Sequence, residues 1–455
     1  MKSDQKKRMA AWGRVIPIAL ALSLAACGGE SGSGSGSKSG APTGPTTGRL
    51  LDSAVSGVAY AASSGATGHT DENGVFHYTH GDTVEFKLGG LVLGKVKGAA
   101  IITPMELAGD SENRLQNLLI LLQSLDEDGN AVNGISIPAK AAAAVGASID
   151  LESDPAAFTA SPELQMAREA GKVAGPVKTA EQARAHFLSQ GIPLLSTDIW
   201  VKHDESSASV IRISAARGGE YLQGDATPDD SCDANRVCGG NLVSKAGVEY
   251  GVASVASFDT RGFKFVGRPA MDTNLQAGLS HPRPTWRIRT DGAGLIASDV
   301  YTVQREKKQA SLFGELFHIA GTLEISSEKE PIKTEVRESR YASMENDPKG
   351  IVGAWAEHPG SIKTPTYFFF SHGKFMLVDP AGKPAENCGP GVEFSSYSYD
   401  PADKALSIKG FTYDTNGCAG FSETGASSFT LGADGKTATL EKQDKSRISL
   451  HRISQ

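Results

Sequence analysis

Residues 350–378 read GIVGAWAEHPGSIKTPTYFFFSHGKFMLV. Residues 366–370 and 374–378 within this stretch are aromatic and branched, the composition of β-strands. Successive strand side chains point to opposite faces. In Tyr367-Phe368-Phe369-Phe370 alternate rings are therefore expected to fill an interior and to pack outward against another part of the chain. The competing reading is a wall for an apolar ligand or a docking patch. Downstream, strands are expected at 394–399, 405–412, 427–431, 437–441 and 446–451, with Asp434-Gly435 as a hairpin turn. Upstream, the chain is β-rich from about residue 195. Strands are expected at 210–213, 250–258, 263–266, 286–289, 301–303 and 312–323, with turns at Arg261-Gly262 and Asp291-Gly292. Residues 328–347 are charged and poor in large apolar groups, which reads as a hairpin arm or linker.

Gly353-Ala354-Trp355 is a G-x-W, and Arg452 directly follows the last expected strand. This meander resembles the small lipocalin-like (calycin) barrels, which open with G-x-W and close with an arginine packed over that tryptophan. The second and third lipocalin motifs are not apparent. The resemblance implies a structural cation–π contact between Trp355 and Arg452, worth roughly 0.5–2 kcal/mol. It also implies a carrier of a small hydrophobic ligand as one functional alternative.

Residues 49–100 read as a smaller β-unit. The pattern DSAVSGVAY…TDENGVFHY…GDTVEFKLGGLVLG alternates strand-like runs with Asn73-Gly74 and Gly81-Asp82 turns. Asn-Gly suits a type I′ hairpin. Residues 101–194 read as helical. Thr103-Pro104-Met105-Glu106 forms a capping box, and Leu115, Leu118, Leu119, Leu122 and Leu125 share one helix face. Further helices are expected near 138–145, 162–172 and 179–189, the last with a second capping box at Thr179 and Gln182. Residues 49–137 resemble the prealbumin-like (carboxypeptidase-regulatory-like) β-sandwich that opens Gram-negative adhesin-like lipoproteins. That resemblance implies adhesion or an envelope-interaction role. The fold class is mainly β and multidomain: a small β-sandwich, a helical segment, then antiparallel barrel or sandwich units at 195–349 and 350–455.

Residues 1–26 are basic and then apolar, too short a run to span a bilayer but suited to a secretory leader. Leu24-Ala25-Ala26-Cys27 resembles a lipobox, which implies cleavage before Cys27 and lipidation (palmitate among the acyl chains) of that residue. Gly28 after it, in place of an aspartate, implies the outer membrane, with the periplasmic or surface face left open. Residues 27–48 read as the lipidated cysteine and a Gly/Ser tether with a span of roughly 25 Å. The formal charge is −7, and removing a leader of net charge +4 leaves −11. So acidic a chain lacks the cationic surface that nucleic acid needs.

Four cysteines remain after Cys27. An even count suits an oxidising compartment. The local pairing is Cys232 with Cys238 and Cys388 with Cys418, one of three connectivities. Zinc is the competing use, but no C-x-x-C is present. Asp126, Asp128, Asn130 and Asn133 form a candidate Ca²⁺ set, weighed against a helix-terminal turn with local hydrogen bonds. No other cofactor is expected. Asp225, Asp229, Asp230 and Asp233 read as a solvated, disulfide-stapled loop, with Ca²⁺ as the alternative. His69, His77 and His80 fall on one expected hairpin and read as surface histidines, with a metal site as the alternative. No nucleophile elbow, metalloprotease or phosphate-loop motif stands in a suitable context, so no catalytic residues are assigned. These observations favour a non-enzymatic, lipid-anchored binding or adhesion protein. A carrier of a small apolar ligand, a hydrolase assembled from scattered residues and a purely structural protein are the alternatives. The membrane through the lipid anchor and a surface or matrix component are the expected partners.

Overall fold

The computed structural model describes residues 44–227, 246–260, 262–273, 341–382, 388–417 and 420–453, with the backbone of strands at 237–238, 241–242, 285–290, 295–298 and 339–340. The chain is mainly β.

The first eight strands are β1 (Pro45–Leu50), β2 (Val55–Ser56), β3 (Ala59–Ala62), β4 (Thr67–His69), β5 (Val75–Thr79), β6 (Thr83–Leu88), β7 (Leu91–Lys97) and β8 (Ile101–Ile102). They form two sheets, β5-β1-β8 and β4-β3-β6-β7. Phe76 and Phe86 meet between the sheets, edge to face at 5.0 Å. Two expectations change here. Residues 45–48 belong to β1 and pair with β5, so the fold begins before the expected end of the tether. A Cβ on Gly48 would overlap the Ala99 carbonyl and the Phe76 ring, so this glycine serves close packing. The Asn73-Gly74 turn does not join a hairpin: β4 pairs with β3 and β5 with β1, so the chain crosses between sheets there. Asp71 Oδ1 accepts from the Asn73 and Val75 N–H groups and fixes that crossing.

The helices are α1 (Pro104–Ala108) and α2 (Glu112–Ser124), then, after β9 (Ile135–Ser136), α3 (Ala139–Ala144), α4 (Pro155–Thr159), α5 (Pro162–Gly171) and α6 (Ala180–Leu195). Both expected capping boxes are present, at Thr103 and at Thr179. The leucine face of α2 is fully buried. Its polar side is buried as well, because Asn117 donates to the Leu151 and Ser153 carbonyls and Gln116 to the Ala180 carbonyl. α6 continues through Pro193 to Leu195, past its expected end.

Ten strands follow: β10 (Ile199–His203), β11 (Ala208–Ser214), β12 (Glu220–Ala226), β13 (Val237–Cys238), β14 (Asn241–Leu242), β15 (Gly247–Asp259), β16 (Gly262–Asp272), β17 (Thr285–Thr290), β18 (Leu295–Ser298) and β19 (Ser339–Ser343). All except the small β13-β14 pair close into an antiparallel barrel, the first barrel, through β10-β19 pairing. Residues 339–343, expected within an arm or linker, supply its closing strand. The strands expected at 301–303 and 312–323 lie outside the described residues. Trp200, Ile211, Ile213, Tyr221, Phe265 and Tyr341, from five strands, fill one end of this barrel against Ile192 and Leu195 of α6.

The last eight strands are β20 (Gly353–Ala356), β21 (Thr366–Phe369), β22 (Lys374–Asp379), β23 (Gly391–Tyr399), β24 (Leu406–Asp414), β25 (Ala426–Leu431), β26 (Thr437–Lys442) and β27 (Arg447–Arg452). They form one antiparallel sheet that curls until β20 pairs with β27. Its single seam, between β24 and β25, is bridged by Ala405 and Ser428. This is the second barrel. Trp355, Tyr367, Phe369, Phe375, Phe421 and Phe429 pack its interior. Arg452 stands opposite Trp355 in the register, with its guanidinium carbon 4.1 Å from the ring centroid. Gly353 explains the first position of G-x-W: it holds a positive φ of 140°, and a Cβ there would lie 2.7 Å from an Arg452 nitrogen.

Between the barrels lies a third apolar layer. Ile199, Val201, Val210, Leu222 and Val248 on the outer face of the first barrel pack against Phe368, Phe370, Met376, Val378, Val392 and Phe394 of the second. Tyr367 and Phe369 thus point inward while Phe368 and Phe370 point outward. This alternation puts both barrels into one folded body.

Candidate functional site

The sequence-derived candidates do not converge. Cys27, Cys232 and Cys418 lie outside the described residues, and of Cys238 only the backbone, in β13, is described. Cys388 is buried and disulfide-bonded. In the 126–133 turn, Asp128 accepts from the Asn130 N–H at 2.8 Å and from Asn133 Nδ2 at 2.9 Å. Those two bonds hold its carboxyl below the usual range. Asp126 is buried, accepts from the Ser136 N–H, and is pushed up by burial. Lys178 Nζ donates to the Gly129 carbonyl at 2.8 Å, which brings a side-chain cation into the turn. Local Asx bonding accounts for this geometry. Among the described residues, no three His, Cys, Asp or Glu side chains are arranged to hold a metal. His69 and His77 sit exposed in different sheets, so the expected shared hairpin does not exist. Asp225 is buried in β12, with Thr227 Oγ1 donating to it, and is not part of a solvated loop. Asp229, Asp230 and Asp233 lie outside the described residues.

One constellation escaped sequence reasoning. Asp52 is fully buried, Gln123 Nε2 donates to its carboxyl, and His186 Nε2 lies 3.8 Å from Asp52 Oδ1 and 3.2 Å from Ser53 Oγ. Burial pushes Asp52 up to about 7 and pulls His186 down, so both groups tend toward their neutral forms. Burial thus works against an ion pair at the 3.8 Å approach. A serine–histidine–acid relay uses the two ring nitrogens for different partners. Here Ser53 and Asp52 both face Nε2, which is the arrangement of a buried structural network. The parts are separated by 133 residues, and no local motif joins them.

An open polar cleft lies between the barrels. The apolar layer that joins them is polar at both ends. At one end His203 of the first barrel stacks on His372 of the second, with ring centroids 4.5 Å apart. At the other end Arg212 of β11 reaches from the outer face of the first barrel to the 359–361 loop. It donates to the Ser361 carbonyl at 3.0 Å and to the Pro359 carbonyl. Arg212 is only 8% exposed, and burial pulls it down to about 10. Among the described residues it forms no ion pair. It lines a cavity of about 280 Å³ together with Asp198, Ser214 and Arg452. Asp198 accepts from the Ile199 N–H and from the Ser343 hydroxyl, and burial pushes it up to about 6. Arg452 is committed elsewhere, with donors to the Gly435, Val352 and Gly350 carbonyls and to Asn346 Oδ1. The cleft can thus present one buried cation whose bonds among the described residues go only to neutral carbonyls.

Comparison with protein-family models, with curated proteins and with solved structures returns no match for this chain.

Proposed function

We propose that the protein is a lipid-anchored envelope protein that acts as a non-enzymatic binding or adhesion module. The observation that carries the reading is the layer between the barrels. Among the described residues, both barrels bury their own side chains inside, and apolar outer faces are used against each other. What this construction presents to solvent is a fixed surface with a polar cleft, suited to recognising a partner by shape and hydrogen bonding. The Leu24-Ala25-Ala26-Cys27 sequence and the Gly/Ser run after it support delivery to a membrane on a tether, with the outer membrane favoured by Gly28. The disulfide at Cys388, whose expected partner is Cys418, is consistent with that oxidising compartment. The aromatic packing around Trp355 and Phe369 weighs against a hydrophobic carrier, since a carrier needs that space for its cargo.

Two measurements test the proposal. Radiolabelled palmitate enters the native protein and fails to enter a Cys27→Ser variant; equal labelling of both rejects the anchor. Matrix-coated surfaces retain the parent strain better than a strain lacking the gene; equal retention rejects adhesion.

A further inference from the structure

We propose that the cleft between the barrels binds a small hydroxylated monocarboxylate, its carboxylate on Arg212 and its hydroxyls on Asp198 and the neighbouring serine and threonine oxygens. The assignment rests on the binding reading above and names the ligand class.

Three observations lead to it. First, Arg212 is buried, and its bonds among the described residues go only to neutral carbonyls. A guanidinium offers five N–H donors; the bonds to Pro359 and Ser361 use one on each terminal nitrogen of this cavity-lining residue, which leaves three, the Nε–H among them. A carboxylate is the ligand that the remaining donors of a guanidinium recognise best. Second, the cavity wall carries two arginines and one aspartate, a net charge of +1. A monoanion neutralises that charge. A zwitterion leaves it unchanged, and a dianion such as phosphate overshoots it beside Asp198. Third, the hydroxyls at the rim are already donating. Ser196 Oγ donates to the Pro193 carbonyl at 2.8 Å and Thr197 Oγ1 to the Leu194 carbonyl at 2.9 Å. What they offer a ligand is acceptor capacity, as does the Asp198 carboxyl. A ligand that complements this wall carries one charged acceptor group and several neutral donors. The volume, about 280 Å³, lies at the small end for ligand sites and suits a single sugar-sized acid.

Two sources share this chemistry: a free hydroxy acid, and the acidic sugar at the end of a glycan. Titration calorimetry on the full-length protein separates them, with D-glucuronate, methyl β-D-glucuronide, D-glucose, L-alanine and inorganic phosphate as probes. Glucuronate is expected to bind saturably, and glucose, alanine and phosphate at least about tenfold more weakly. Equal binding of the methyl glycoside supports a glycan end, and a preference for the free acid supports a soluble hydroxy acid. Arg212→Met is expected to weaken glucuronate roughly ten- to hundredfold. Ala215→Trp, at an exposed position on the cavity wall, blocks the cleft without touching Arg212 and gives a comparable loss if Arg212→Met does not fold. The assignment is overturned by absence of saturable glucuronate binding to the native protein. It is equally overturned by alanine or phosphate binding as tightly, or by unchanged affinity in the folded variants. Any of these alongside reduced retention of the deletion strain breaks the ligand assignment while leaving adhesion standing.

Discussion

The second barrel is filled almost entirely by aromatic and aliphatic groups, with Phe429 in edge contact with both Trp355 and Phe369. Among the described residues, the first barrel has such a layer at one end only. Elsewhere on its inward faces Ser209, Gln223, Asp225 and Glu249 are buried, Ser209 pairs with the Tyr341 hydroxyl, and Tyr221 donates to Glu249. Both are antiparallel meanders of eight strands. The difference teaches that strand winding and interior chemistry are set separately. Alternation closes the ring, whereas the identity of the inward residues decides whether it becomes a dry core or a polar one. What the barrels share is an outer apolar face, and it holds them together.

The largest predicted effect strikes the dry core. Phe369→Ala should lower unfolding free energy by about 3–5 kcal/mol in a denaturant titration, because packed aromatic neighbours cannot collapse into the space left. A loss below about 1 kcal/mol would show that the second barrel is not the close-packed one. Next comes the acid buried in that barrel. Glu393 accepts from the Phe421 and Ser422 N–H groups, yet burial outweighs them and pushes it up to about 7. Its folded value exceeds its unfolded one. Its stabilisation is therefore complete at low pH and is lost as pH rises from about 4.5 through about 7. Glu393→Gln should flatten that fall, an effect on the order of 2–3 kcal/mol between pH 5 and 8. An unchanged slope in the variant would contradict it.

The contact between the barrels gives the third prediction. A Cβ on Gly224 would overlap the Val378 side chain across the layer. Gly224→Ala should cost about 1–3 kcal/mol, and adding Val378→Ala should give less loss than the two changes summed. Strict additivity would mean that the two faces do not touch. The smallest effect is at the stacked histidines. Burial and then the neighbouring His372 pull His203 down, while Glu345 and Asp204 act in the opposite sense. The folded state therefore binds fewer protons than the unfolded chain below pH 6.5, and stability falls as pH drops through that range. His203→Phe should remove this part of the acid sensitivity in thermal melts at pH 5 and 7.

Much of the second barrel was legible in the sequence, because its strands are aromatic and branched runs bounded by turns and the pair Trp355 and Arg452 stands in the G-x-W context. The helices were legible through their caps at Thr103 and Thr179. Closure of the first barrel was not, because β19 lies in a charged stretch far from the strands it joins, and pairing over such separations leaves no local periodicity. The start of β1 was hidden because Gly48 looks like part of a flexible run until Phe76 is placed against it. Arg212 was equally silent. Between Ile211 and Ile213 it reads as an outward strand position facing water, and only the second barrel covers it. The Asp52–His186 network joins distant segments that carry no motif.

That the two barrels form one body is most directly tested by a pulsed electron spin resonance distance between labels introduced at exposed Val252 of the first barrel and Lys409 of the second. One narrow distance distribution, broadened by Gly224→Ala and narrowed again by adding Val378→Ala, is predicted. A broad or two-peaked distribution in the native protein would contradict the account.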